Sequence, residues 1–202
     1  MPALSLALWG VFGLLAIVGR ALLQKRRTGS FGITGISGTP GSIEWIGGVM
    51  FGLAIVLGVA APVLALADVA EPLEAIDSTA AHAAGIALFA VGLIGTLAAQ
   101  LAMGSSWRIG VDASERTDLV TGGPFAVVRN PIYAAMLPTL GGLTLICPSG
   151  VATVALAMMV AALEIQTRLV EEPHLLAAHD EYAGYAARVG RFVPGVGRIR
   201  RS

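Results

Sequence analysis

The sequence predicts an all-α integral membrane protein with about five transmembrane helices, and three features support this fold class. Of the 202 residues, 55% are hydrophobic and only 13% are charged, whereas a soluble domain carries about 25% charged residues. The apolar residues form long runs, and a helix that crosses a bilayer needs about 20 of them. The positively charged residues all fall on one side of the predicted spans.

The apolar runs define the predicted helices in chain order: 3–18, 46–67, 80–103, 131–147 and 151–163. The second and third runs are long enough to cross a bilayer, and the first is long enough if Arg20 extends its charged end to the interface. We interpret the first run as a span and not as a signal peptide, because it lacks a basic start and a small-residue cleavage site. Pro148-Ser149-Gly150 predicts a tight turn, so the last two runs form a helical hairpin.

The charged residues predict an orientation. The segment after the second span contains Glu71, Glu74 and Asp77 but no lysine or arginine. The positive charges lie after the first and third spans and in the tail: Arg20, Lys25, Arg26, Arg27, Arg108, Arg116, Arg129, Arg168, Arg188, Arg191, Arg198, Arg200 and Arg201. The positive-inside rule therefore places the N-terminus outside, and the third loop and the tail in the cytoplasm. We divide the chain into a three-span membrane region, residues 1–103, and a region with the loop, the hairpin and a C-terminal helix, residues 104–202.

Two polar segments complete the predicted organisation. Apolar and aromatic residues recur every three or four positions in the tail, which predicts one amphipathic helix with a face formed by Leu175, Ala178, Tyr182, Tyr185 and Val189. This helix is expected to lie at the membrane interface, to cover the hairpin as a lid, or both. Residues 28–42 are rich in Gly, Ser and Thr, a composition typical of a mobile linker.

Several functional classes lack support in the sequence. The single cysteine, Cys147, excludes an internal disulfide, and His82, His174 and His179 are not spaced as a ligand set, so we expect no metal site. The sequence contains no Rossmann unit and no phosphate-binding loop. The net charge of zero gives no indication of a nucleic-acid partner, and nothing in the sequence indicates the oligomeric state.

The start of the fourth helix predicts an anion site. Asn130 is of a type favoured at a helix N-cap, and Pro131 suits the first helical position. The free amides and the positive dipole end of the helix favour an anion there. Arg129 adds a full charge beside this helix end, and Tyr133 adds a hydroxyl group one turn later.

The fifth helix returns to the same depth and brings two carboxylates with it. At about 1.5 Å per residue, the two helices of the hairpin place Glu171 and Glu172 near Arg129, and Pro173 is expected to interrupt the helix there. One interpretation is that the two carboxylates only pair with Arg129 and Arg168. The other is a clamp for a zwitterion, with an anion site on one helix and paired acceptors on the other.

Two stretches of the second half, "DLVTGGPFAVVRNPIYAAM" and "EEPHLLAAHDEYAGYAARVGRFVP", carry a resemblance. Together they resemble the isoprenylcysteine carboxyl methyltransferase family and its bacterial relatives over residues 101–194. The resemblance implies an integral membrane enzyme that binds S-adenosylmethionine between the last hairpin and the C-terminal segment, without a Rossmann fold. Two positions depart from the family pattern, since Asn130 replaces a histidine and Ala135 a glycine. The Asn-Pro-x-Tyr motif with Glu-Glu-Pro is also similar to phosphatidylethanolamine N-methyltransferases.

The resemblance implies roles for individual residues. It assigns the following residues to the cofactor: Leu119, Thr121, Gly123, Pro124, Arg129, Asn130, Pro131, Tyr133, Glu171, Glu172, Tyr182, Tyr185 and Arg191. We predict that Arg129 and Glu172 are catalytic. For an amine acceptor, which must first lose a proton, the candidate bases are Glu172 and an arginine-paired Glu171.

The implied reaction is methyl transfer to a lipophilic or lipid-modified acceptor that enters from the bilayer. A carboxylate acceptor follows from the family resemblance, and a phospholipid amine or a small thiol remains an alternative. Two other classes also remain open. One is an NADPH-dependent sterol-type reductase, and the other is a small transporter or assembly factor.

Overall fold

The computed structural model describes residues 1–110 and 119–199, and the described part consists of helices and connecting loops. The helices are α1 (Pro2–Thr28), α2 (Ile43–Leu66), α3 (Thr79–Ala102), α4 (Pro131–Ile146), α5 (Gly150–Ala178) and α6 (Tyr182–Arg188). Arg116, Arg200 and Arg201, which the orientation argument used, lie outside the described residues.

Four helices, α1, α2, α3 and α5, are long and apolar enough to cross a membrane, while α4 is a shorter apolar helix of 16 residues. The predicted all-α membrane fold is therefore confirmed, with α4 as its shortest apolar helix. Helix α1 continues well beyond the predicted end of the first span, because its last turn carries three basic side chains near the negative end of the helix dipole. Gly29, with a φ of 81°, ends it in the left-handed conformation.

The two helices of the predicted hairpin make their main contacts with other helices. Helix α4 packs along α3, and α5 packs along α2. The α3–α4 contact is close because Gly92 faces Thr139, where a Cβ at position 92 would collide with the threonine hydroxyl. The core of the bundle is apolar and is formed by Trp9, Phe12, Ala16, Ala54, Phe89, Leu93, Met136, Leu140, Leu143, Met159 and Leu163.

The expected interruption at Pro173 is wrong, since α5 runs through this proline to Ala178. Residues Gln166–Glu171 form a π-helical segment within α5, and the amide of Glu172 donates to the carbonyl of Thr167, five residues earlier. The wider turn gives the proline ring room that a regular α-helix lacks. The segment also sets the directions in which Glu171 and Glu172 leave the helix.

The single amphipathic tail helix is also wrong, because the helix breaks between Ala178 and Tyr182. His179 has an extended backbone (φ −135°, ψ 111°), and α6 starts again after it. The turn between the two helices nevertheless brings the residues of the predicted apolar face together. Tyr182, Tyr185 and Ala186 form a buried cluster, with the partly buried Leu119, Leu175, Val189 and Ile199 packed against it.

The loop 28–42, for which the composition predicts a mobile linker, contacts the segment that follows α3. Ile33 and Ile109 form an isolated parallel bridge. The Ile109 amide donates to the Gly32 carbonyl at 2.7 Å, and the Thr34 amide donates to the Ile109 carbonyl at 3.0 Å. This contact lies at the end of the bundle that also carries Arg129, which we call the Arg129 end.

Candidate functional site

The start of α4 is covered by the chain segment that follows α6. Val128 and Gly190 form a parallel bridge. The Arg129 amide donates to the Gly190 carbonyl at 2.8 Å, and the Asn130 amide donates to the Arg191 carbonyl at 3.0 Å. The tail therefore passes directly over the mouth of α4.

Gly190 permits this passage because no side chain would fit. A Cβ at this position would collide with the Val193 carbonyl oxygen and would lie 2.7 Å from the Gly195 nitrogen. The turn closes with the Arg191 amide donating to the Val196 carbonyl at 2.7 Å. A glycine is thus required where the tail folds back and presents Arg191 to the site.

Arg129 lies at the centre of the site and is almost fully buried, with 1% of its side chain exposed. Its Nε and Nη2 donate to Oε1 of Glu172 at 3.2 and 2.5 Å. Nη1 donates to the carbonyls of Ala186 and Val189, and Nη2 donates to that of Gly197. Five N–H groups are all that a guanidinium has, so every donor of Arg129 is engaged within the chain.

Glu172 is held by two guanidinium groups. Besides Arg129, Arg191 donates from Nε to Oε1 at 2.9 Å and from Nη2 to Oε2 at 2.7 Å. The hydrogen bonds that Arg191 donates to Glu172 raise the pKa of Arg191 above its ordinary value, so Arg191 stays charged. Arg168, the expected partner, pairs with Glu164 instead. The carboxylate of Glu172 therefore joins the start of α4, helix α5 and the tail, and we call Arg129, Glu172 and Arg191 the ion triad.

Glu171 has different surroundings. Its Oε1 accepts a hydrogen bond from the Tyr133 hydroxyl at 2.7 Å and a longer one from Nε2 of Gln166 at 3.4 Å. Both of these donors are neutral, and the charge of Arg108 acts on the carboxylate from farther away. Glu171 thus retains acceptor capacity that Glu172 has already used.

The two tyrosines of α6 support the triad from the tail side. Tyr185 donates from its hydroxyl to the Phe125 carbonyl at 2.5 Å, and the two tyrosine rings meet edge to face at 5.9 Å. Burial, together with the negative charge of Glu172, raises the pKa of Tyr182 to about 12. Burial also raises the pKa of Tyr185 to about 12. Both hydroxyls are therefore neutral at any physiological pH.

The helix start itself is built differently from the expectation. Asn130 occupies the N-cap position, but its side chain makes no capping bond and donates to the Arg191 carbonyl at 3.4 Å. The Ala134 amide makes the first helical bond, to the Asn130 carbonyl. Since Pro131 has no amide hydrogen, the amides of Ile132 and Tyr133 are the ones that precede this bond and point out of the helix end.

The loop before α4 contacts the tyrosine cluster through Leu119 and through the Phe125 carbonyl. Gly123 and Pro124 lie in a short 3₁₀ turn, Gly123–Ala126, which packs beside the end of α3. Thr121 is exposed to solvent.

The structure thus brings together most of the residues singled out in the sequence: Leu119, Arg129, Asn130, Pro131, Tyr133, Glu171, Glu172, Tyr182, Tyr185 and Arg191. It divides them into the ion triad with its tyrosine cover and a separate Glu171–Tyr133 pair. Gln166 is not predictable from the sequence, because its contact with Glu171 depends on the π-helical segment. The carbonyls of Ala186, Val189 and Gly197 are not predictable either, because no side-chain pattern indicates them.

Comparisons with known proteins bear on the same region. The phospholipid methyltransferase family matches residues 80–181, just over half of the chain, which include Arg129, Tyr133, Glu171 and Glu172. The chain is also 29% identical over 114 residues to the cobalt-zinc-cadmium resistance protein CzcN of Cupriavidus metallidurans. That alignment covers 56% of this chain and 52% of the relative, so the chain spans about half of the relative's length. No solved structure matches the chain.

Proposed function

The chain belongs to the phospholipid methyltransferase family, whose members are membrane methyltransferases, and we propose that it transfers the methyl group of S-adenosylmethionine to a lipophilic acceptor. The observation that carries this proposal is the Glu171–Tyr133 pair. It is a half-buried carboxylate that accepts hydrogen bonds from the neutral side chains of Tyr133 and Gln166, and Tyr133 lies in the first turn of the apolar helix α4.

These groups fit a zwitterionic amino-acid end. S-adenosylmethionine carries a carboxylate, an ammonium group, two ribose hydroxyls and an adenine, and its sulfonium supplies the methyl group. We infer that the amides of Ile132 and Tyr133, at the positive end of α4, receive the carboxylate. Glu171 receives the ammonium group or a ribose hydroxyl. Leu119 packs against the tyrosine cluster, and we infer that this apolar surface receives the adenine.

The ion triad has a supporting role in this proposal. Because every donor of Arg129 is engaged, we infer that it fixes the tail over the mouth of α4 and adds to the positive potential there. Glu172 keeps both guanidinium groups in place. The family resemblance implied that both carboxylates bind the cofactor. We therefore infer that Glu171 alone is the charged acceptor.

The remaining contributions of the chain are alignment and exclusion of water. The new bond forms between the acceptor and the methyl carbon, while the bond from that carbon to sulfur breaks and leaves a neutral thioether. A carboxylate acceptor is already ionised and needs no base. An amine acceptor must lose one proton, and Glu171 is the carboxylate in the described site with capacity to accept it.

Calorimetric titration tests the cofactor class directly. The purified protein in detergent should bind S-adenosylhomocysteine, and Glu171→Gln should bind it about tenfold more weakly, the loss expected for one hydrogen bond to a charged group. Binding of NADPH with no binding of S-adenosylhomocysteine would replace the proposal with a reductase. Binding of neither compound would leave a non-enzymatic role.

A further inference from the structure

Arg20 is a buried charge outside both the ion triad and the region that the family matches. Only 3% of the residue is exposed, although it lies in the apolar helix α1. None of the ion pairs found among residues 1–110 and 119–199 involves it. A buried cation is costly unless other groups satisfy it, so its contacts must offset that cost.

Those contacts all lead to the segment that follows α3. Arg20 donates from Nη2 to the Gly104 carbonyl at 2.5 Å and from Nη1 to Oε1 of Gln24 at 3.0 Å. Gln24 in turn donates to the Ser105 carbonyl at 2.6 Å. The guanidinium also stacks on the ring of Trp107, with its central carbon 4.5 Å from the ring centroid. One turn of α1 therefore contacts Gly104, Ser105 and Trp107.

The opposite side of this segment is held by the loop 28–42. Trp107 is 2% exposed. A Cβ at Gly32 would lie 3.0 Å from the Trp107 carbonyl oxygen and 3.3 Å from the ring, so Gly32 is in close contact with it. The bridge between Ile33 and Ile109 continues this contact. Residues 104–110 are thus clamped between α1 and the loop, and we call Arg20, Gln24 and residues 32–34 the amino-terminal clamp.

The clamped segment follows directly on the end of α3, which packs against the turn Gly123–Ala126 just before α4. Arg108 follows the buried tryptophan directly, and its charge acts on Glu171. Farther along the chain, Leu119 packs on the tyrosine cluster, and the Phe125 carbonyl is bound by Tyr185. Of the described residues between α3 and α4, those up to 110 are therefore held by the amino-terminal clamp, and those from 119 onward are held by the tail.

We propose that Arg20 is a positioning residue for the cofactor site: it fixes residues 104–110 against α1, so that Arg108 is held where its charge acts on Glu171 and the end of α3 is held against the turn before α4. This inference rests on the proposed function for its effect on binding. It assigns a role at the site to the first helix, which lies outside the matched residues 80–181. The contacts are specific to a guanidinium because its planar fork reaches the carbonyl, the amide and the ring together.

The test combines two measurements on the full-length protein in detergent. The first is the affinity for S-adenosylhomocysteine of the parent, Arg20→Lys, Arg20→Gln and Ser5→Ala. Ser5 is the matched control, because it is equally buried in α1 but bonds to the Leu143 carbonyl at the other end of the bundle. We expect about a tenfold loss of affinity for Arg20→Gln, a smaller loss for Arg20→Lys, and parental affinity for Ser5→Ala.

The second measurement does not depend on the cofactor. Ile109→Cys in a Cys147→Ala background reports on the segment through its rate of modification by N-ethylmaleimide. We expect Arg20→Gln to raise this rate several-fold and Ser5→Ala to leave it unchanged. If Arg20→Gln fails to fold, Trp107→Phe replaces it, since the smaller ring stays apolar but stacks less well with the guanidinium.

The outcomes separate the two claims. If the Arg20 variants bind S-adenosylhomocysteine as tightly as the parent, or if Arg20→Gln leaves the modification rate of Ile109→Cys unchanged, the positioning role is overturned and Arg20 is a fold contact. A raised modification rate in a protein that does not bind S-adenosylhomocysteine at all would support the positioning of the segment and overturn the proposed function.

Discussion

Glu171 and Glu172 are neighbours in the sequence, yet the two carboxylates have different partners. Glu172 bonds to two guanidinium groups with 6% of its side chain exposed, whereas Glu171 bonds to a hydroxyl and an amide. Removing the charge of Glu172 leaves two buried cations without their partner, and breaking such a buried pair costs several kcal/mol. Removing the charge of Glu171 leaves its direct hydrogen bonds possible, because a glutamine oxygen still accepts from Tyr133.

We therefore predict opposite phenotypes for the two glutamine variants. Glu172→Gln should lower the free energy of unfolding by about 3–5 kcal/mol. Glu171→Gln should change it by less than about 1 kcal/mol but should weaken S-adenosylhomocysteine binding. Thermal melts with and without the ligand measure both effects. Glu164→Gln is the control, since its pair with Arg168 is exposed and is expected to contribute about 0–1 kcal/mol. Equal melting losses in the two site variants would contradict the separation.

At the scale of residues, the sequence predicts which side chains meet better than what each one does. Counting helical rise brings Glu172 to the depth of Arg129, and the 2.5 Å ion pair agrees with that estimate. The partner on the tail, Arg191, follows from no spacing rule, because its position depends on the turn at Gly190. Asn130 shows the same limit, since its position at the helix start is predictable while its bond to the Arg191 carbonyl is not.

At the scale of elements, the apolar helices follow from composition, and their interruptions do not. Runs of apolar residues locate α1 to α5 because the membrane selects for length and hydropathy. The break at His179 and the continuation through Pro173 depend on tertiary contacts of the tail and on the π-helical segment. The periodic face of the tail survives the break because the turn brings Leu175 and Tyr182 into one cluster.

The tail turn gives a prediction at this scale. Gly190→Ala should displace the segment that carries Arg191, because the added methyl group collides with the Val193 carbonyl. We expect a loss of about 1–3 kcal/mol in the free energy of unfolding, as for other overpacked sites, together with weaker binding of S-adenosylhomocysteine. Gly122→Ala is the matched control, since nothing lies within 4 Å of its Cβ position and its φ of −94° suits any residue. A Gly190→Ala protein that melts and binds like Gly122→Ala would show that the tail turn does not hold the site.

At the scale of the whole molecule, the described positive charges gather at the Arg129 end. The basic last turn of α1 and the ion triad lie there, and the acidic loop that contains Glu71 and Glu74 joins the opposite end through the bridge between Pro72 and Ser149. This asymmetry supports our prediction that the N-terminus is outside and that the candidate site faces the cytoplasm. A cofactor made in the cytosol would then reach the site without crossing the bilayer.

Cysteine labelling in intact cells tests this orientation. In a Cys147→Ala background, Leu73→Cys should react with a membrane-impermeant maleimide from outside, and Gly122→Cys should react only after permeabilisation. Both positions are exposed in the structure. The reverse pattern would place the candidate site on the outer side and would remove direct access to a cytosolic cofactor.

The central claim is that this membrane protein transfers a methyl group from S-adenosylmethionine at the Glu171–Tyr133 pair, and label transfer tests it most directly. The purified protein is reconstituted with a total lipid extract and S-adenosylmethionine labelled in its methyl group. We predict label in the lipid fraction with the parent and with the Glu164→Gln control, and a loss of most of it with Glu171→Gln. Mild alkali releases the label of a methyl ester as volatile methanol, whereas the label of an N-methylated lipid stays on the nonvolatile head group, so the same samples distinguish the two lipid acceptors. Two results would contradict this claim. One is a parent protein that binds S-adenosylhomocysteine but transfers no label to lipid or to a volatile methyl thioether. The other is full transfer by Glu171→Gln.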